Sequence, residues 1–216
     1  MSDRPAAWTG GTLPAGATSA SAHRLAVAEG WVLETDVPRT IDRSRTWRWR
    51  APEGEVSLVE DHRTGLRHME ARPAAFAERL AAALAWESAA DLFERARTAS
   101  GTLERMRAVH ALGFLQYGAA IAAAATAPED PDEPGYALLP DDVRYLEAFE
   151  RALDDPEPSV CRAGVQGLAF GPWPGAREIL RRRRAELPQF AGLIDERLNS
   201  APPRFRRPAT EDNTAS

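Results

Sequence analysis

Two hydrophobic periodicities divide the chain. Between residues 30 and 70 apolar and polar positions alternate, and beyond residue 73 the apolar positions recur every three or four residues. Thr46-Trp47-Arg48-Trp49-Arg50 alternates strictly, which places both tryptophans on one face of a strand. Ala51-Pro52-Glu53-Gly54 has the proline and glycine of a type I turn. Residues 55–60 then return as a second strand, Asp61 to Gly65 turn again, and 66–70 form a third. The short run Trp31-Val32-Leu33 adds a candidate fourth strand. The pattern predicts a small antiparallel β-meander over residues 23–72. So small a sheet needs a cover for its apolar face. Phe76, Leu80 and Leu84, with Trp86, supply one from the helix that follows.

Helical spacing then predicts segments at 75–85, 89–97, 103–117 and 119–126. A loop at 127–140, rich in proline and acids, precedes a helix at 143–153. Pro156 and Pro158 stop that helix, because proline lacks the amide donor and crowds the preceding turn. Ser159 is the expected N-cap of the next helix, 159–170. That helix carries Val160, Gly164, Gly167 and Leu168 on one stripe, and its small residues let a neighbour approach closely. Gly171-Pro172-Trp173-Pro174-Gly175 is a hard break before helices at 176–186 and 190–199. Residues 73–200 therefore read as a helical domain. Residues 1–22 and 201–216 are poor in large apolar groups and read as disordered tails.

The turn Asp154 to Pro158 with the helix after it resembles the turn and second helix of a HEAT repeat. Glu104-Arg105-Met106-Arg107-Ala108-Val109-His110-Ala111-Leu112-Gly113-Phe114 lays over residues 160–170 as an upstream copy. It places Ala108 on Gly164, Ala111 on Gly167 and Leu112 on Leu168. Cys161 stands where the family has arginine. The resemblance covers residues 73–199. It implies a mainly α fold: a short HEAT-like, armadillo-type α-solenoid with the β-meander docked on its first helix.

Composition narrows the function classes. The net charge of −5 argues against a general nucleic-acid or acidic-membrane binder. All 27 basic residues are arginine, which reads as coding bias. One cysteine excludes an internal disulfide and a cysteine-based zinc site. No charged segment followed by an apolar core opens the chain, so no signal peptide is expected, and the expected location is the bacterial cytoplasm.

Several groupings invite chemistry. Asp61, His62, His68 and Glu70 surround one hairpin; their spacing is not that of a standard metal site, and no metal or other cofactor is expected. Trp47 and Trp49 suit a sheet core better than a stacking platform. Arg181 to Arg184, with Arg177, lie in a segment, 174–208, that nets +5, while residues 128–157 net −9. Charge compensation within the fold is the expectation there. The second helix of a HEAT unit lines the concave side, so the resemblance implies Arg107, His110, Arg162 and Gln166 as partner-binding positions. No catalytic motif stands out. The expected function is a protein–protein interaction or scaffold module, with a regulatory or immunity-type role among those it fits, that is not an enzyme. The alternative is a HEAT-fold enzyme or nucleic-acid-binding protein, glycosylase-like or lyase-like, using Trp173 and Arg177 to Arg184.

Overall fold

The segment read as an N-terminal tail contains strand β1 (Thr9–Thr12) and the start of helix α1 (Ser19–Ala28). The structure, a computed structural model, describes residues 9–14, 16–62 and 64–206; the remainder of both expected tails lies outside these residues. Four further strands follow: β2 (Val32–Val37), β3 (Arg45–Ala51), β4 (Gly54–Glu60) and β5 (Arg67–Arg72). Then come helices α2 (Ala74–Leu84), α3 (Ala89–Thr98), α4 (Thr102–Ala124), α5 (Val143–Leu153), α6 (Pro158–Ala169), α7 (Gly175–Arg183) and α8 (Ala191–Asn199), with two single 3₁₀ turns before α8. The chain divides into two compact units, 1–118 and 119–216.

The first unit is built on one antiparallel sheet in the order β1-β5-β4-β3-β2. The alternation at 46–50 sets its register: Trp47 pairs with Leu58 and Trp49 with Val56, so the apolar side chains share one face. Trp47, Trp49, Val56, Leu58, Met69 and Ala71 are buried there with Ala22 and Ala26 of α1 and Phe76, Ala77 and Leu80 of α2. The α2 cover is the expected one. The α1 cover was hidden by its small residues, Ser19-Ala20-Ser21-Ala22, which make a helix as readily as a linker. His23 of α1 sits edge-on to both tryptophans, with ring centroids 5.1 Å from each. Gly54, after the β3–β4 turn, is required by close approach: a Cβ there would lie 1.9 Å from the Arg72 carbonyl oxygen.

The predicted HEAT-like solenoid is not what the chain forms. Among the described residues 52% are helical, yet five strands form a substantial part of the fold. The expected break between helices at 103–117 and 119–126 is absent, because Gly118 lies inside the single 23-residue helix α4. Glycine weakens a helix interior by only about 1 kcal/mol, and the alanine-rich sequence on either side of it, Ala119 to Ala124, overrides that cost.

In the second unit α5 and α6 pack as an antiparallel pair. Pro158 takes the first position of α6 and Glu157 its N-cap, so Ser159, expected to cap, falls inside the first turn. Proline there has φ already suited to the helix and no amide to leave unpaired. Asp142 caps α5, its side chain accepting from the Arg144 amide. Trp173 is 1% exposed and stacks on Tyr145 at 5.7 Å. Burial, with Asp142 nearby, pushes the Tyr145 phenol up to about 12.

The acidic loop is organised rather than loose. The Ala137 amide donates to the Phe205 carbonyl at 2.8 Å, Tyr136 bridges Arg206, and Arg204 pairs with Glu133. The beginning of the expected C-terminal tail, 201–206, thus includes a segment bound to residues 133–137. Proline there leaves extended backbone free to pair, a possibility that composition alone does not reveal.

Candidate functional site

The most open element of the first unit is the sheet edge at β2. Its partner on one side is β3; among the described residues nothing pairs along the other. The opposite edge is different: β1 has four residues, and Thr12 is held by a two-way backbone bridge to Glu87. Along β2 the apolar residues are not covered. Val32 is 64% and Leu33 47% exposed. Val27 at the end of α1 and Ile41 in the β2–β3 connection are more exposed still. The register shifts between Leu33 and Thr35, a bulge that twists the edge locally. Glu34 pairs with Arg50, and Asp36 with Arg45 at 3.2 Å, so the strand's charges are already matched across to β3.

A second feature lies at the other end of the sheet. A cleft of about 150 Å³ is lined in part by Leu13, Leu66 and Ala108. Its lining also includes the charged residues Arg67, Glu87, Arg95, Glu104 and Arg107.

Beside it lies the hairpin that held the candidate metal residues. Asp61 accepts from the Thr64 amide at 2.7 Å and the Thr64 hydroxyl at 2.8 Å, which fixes the β4–β5 turn. The Ser44 hydroxyl lies 3.3 Å from both Asp61 Oδ2 and His62 Nδ1. His68 Nε2 is 3.0 Å from Glu70 Oε1, and this contact holds the Glu70 carboxyl below its ordinary value. The His68 ring stacks on Phe114 of α4. Among the described residues no group of three or more histidines, cysteines or carboxylates is placed to hold a metal ion. The four hairpin residues instead tie the turn and the outer sheet face together.

The four partner-binding positions fall on two helices in different units. Arg107 is exposed on α4, in the lining of the cleft. His110, one turn on, is half-buried; burial pushes its imidazole below the ordinary value, against the pull of Asp61. Arg162 is exposed on α6, its guanidinium 5.8 Å from the Phe190 ring, and Gln166 is half-buried on the same helix. The HEAT alignment that grouped them does not carry over to this fold. The β2 edge was missed because alternation predicts a strand without telling whether a neighbour covers it.

The tryptophans and the arginine run are occupied within the fold. Trp47 and Trp49 are each 2% exposed and offer no platform, and Trp173 is buried. Arg182 pairs with Glu150, Arg183 with Asp154 and Glu186, and Arg184 with Asp195. Arg181 pairs with Glu178, and Arg177 donates to the Ser200 and Leu198 carbonyls. No helix among the described residues is long and apolar enough to cross a membrane. No protein-family model matches the chain, and no curated protein or solved structure matches it.

Proposed function

We propose that the protein is an interaction module whose partner is another protein, docked as an extended segment along β2. The observation that carries this reading is a six-residue edge, unpaired among the described residues, with exposed Val32 and Leu33. A free edge offers a row of backbone donors and acceptors, and an added strand satisfies them while side-chain positions supply specificity. Edges without a partner are ordinarily short or covered, as β1 is at the other end of this sheet.

A second copy of the chain suits this edge poorly. Antiparallel self-pairing about Thr35 sets Glu34 of one copy against Asp36 of the next, and like charges directly opposite are destabilising. A heterologous segment with apolar residues opposite Val32 and Leu33 meets no such conflict. Affinity capture from the cell that makes the protein, with wild type and a Val32→Lys/Leu33→Lys variant, tests the reading. A partner held by wild type and lost by the variant supports it; equal retention by both contradicts it.

A further inference from the structure

The charges around the cleft on the first unit are unevenly satisfied. Arg67 is engaged by Glu60 at 3.0 Å and donates to the Ala17 carbonyl at 3.1 Å. Arg95 is bound to Glu87, whose side chain is only 15% exposed. Arg107 and Glu104 differ. They stand three residues apart on α4, in the same lining, and neither side chain makes an ion pair or hydrogen bond with the described residues. Five other arginines of this unit pair with carboxylates, at Glu34, Asp36, Glu53, Glu55 and Glu94. Arg107 and Glu104, without an ion-pair partner among the described residues, therefore stand beside Leu13, Leu66 and Ala108 in the cleft lining.

We propose that this cleft binds a free apolar α-amino acid. An ammonium and a carboxylate on one carbon match Glu104 and Arg107, residues that face the same way because i and i+3 are neighbours on a helix. Arginine presents a fork that suits a carboxylate. The side chain enters the cleft, whose volume of about 150 Å³ equals that of an apolar cavity known to take one benzene-sized guest. That volume suits a side chain of leucine size. A dianion such as phosphate is disfavoured, because Arg67 and Arg95 are already neutralised and Glu104 repels it. The site is separate from the β2 edge and does not depend on it.

Amide NMR of the full chain tests this, following Gly65 and Ala108 during titration with leucine. Leucine is expected to saturate with a dissociation constant of about 1 mM or below, within reach of a ligand of nine heavy atoms. 4-Methylpentanoate, which lacks the ammonium, and 3-methylbutylamine, which lacks the carboxylate, should each bind about tenfold more weakly or worse, for want of one charge-assisted contact. Arg107→Gln and Glu104→Gln should weaken leucine by the same factor with the thermal midpoint unchanged, because both side chains are exposed. Arg162→Gln, in the other unit, should bind as wild type. Absence of a saturating shift at about 10 mM leucine, equal binding of the two fragments and leucine, or undiminished binding by both Arg107→Gln and Glu104→Gln would each overturn the proposal.

Discussion

A Cβ placed on Gly167 would stand 2.4 Å from the ring of Phe149. That approach holds α5 against α6, and Gly164 repeats it one turn earlier, where a Cβ would lie 2.7 Å from the Phe149 carbonyl oxygen. Phe149 is fully buried and has no room to withdraw. Gly167→Ala is therefore expected to lower stability by about 1–3 kcal/mol, the usual cost of overpacking, despite alanine's better helix propensity. Urea denaturation checks it: a midpoint at or above wild type would show that the ring can move aside.

Leu112 and Leu168, one on α4 and one on α6, are both fully buried. Truncating either to alanine should cost roughly 2–5 kcal/mol. The substitutions share no repeat geometry, so the two costs need not agree. A wild-type denaturant midpoint in either variant would contradict the described packing at that residue.

His110 predicts an acid sensitivity with a definite sign. Burial holds its imidazole below the ordinary 6.5 in the folded chain, with Asp61 pulling the other way. Near pH 8 both states are neutral and the residue contributes no pH dependence. As pH falls through 6.5 the unfolded chain takes up its proton first, so stability is lost until the lower folded value is passed. The Glu70 contribution, present above 4.5 and lost as pH falls through its lower folded value, belongs to a more acidic window. Between pH 7.5 and 5.5 the urea midpoint should fall by more in wild type than in His110→Phe. Equal falls would place the sensitivity elsewhere.

The thiol of Cys161 is expected to be inert in the folded protein. It is 5% exposed, and burial pushes its pKa up despite the nearby Arg183 guanidinium. A thiol reagent at pH 8 should leave it largely unmodified over an interval in which the denatured chain reacts completely. Comparable rates in the two states would show an accessible thiolate.

The four arginines at 181–184 should serve the fold rather than a nucleic acid. Exposed pairs such as Arg184–Asp195 and Arg181–Glu178 contribute about 0–1 kcal/mol each. Arg183, with a side chain 14% exposed and three carboxylates within 4.0 Å, should cost most when changed to glutamine. Duplex DNA, single-stranded DNA and RNA titrated at about 0.15 M salt should show no submicromolar binding. Such binding, abolished by changing all four arginines to glutamine, would contradict the assignment.

The sequence displays what local patterning controls. Trp47 and Trp49 announced a strand and its buried face, and Phe76 and Leu80 announced the cover. Gly164 and Gly167 announced a close helix contact. Features that rest on tertiary context were hidden. The residues of β1, Thr9-Gly10-Gly11-Thr12, carry no strand pattern and become a strand because β5 needs a neighbour. Gly118 looked like a break, but the helix runs through it. Exposure of Val32 and Leu33 is a property of the sheet order, which alternation cannot reveal. That Arg107 and Glu104 have no ion-pair partner among the described residues likewise depends on tertiary context.

Hydrogen–deuterium exchange along β2 tests the central claim most directly. With the partner retained by affinity capture bound to the full chain, amides of Val32–Val37 should exchange more slowly than in the free protein, because the outward-facing donors of the edge become bonded to an added strand. Exchange on β5, already flanked by β1 and β4, should change far less. Unchanged exchange across β2 in a saturated complex would contradict docking at this edge.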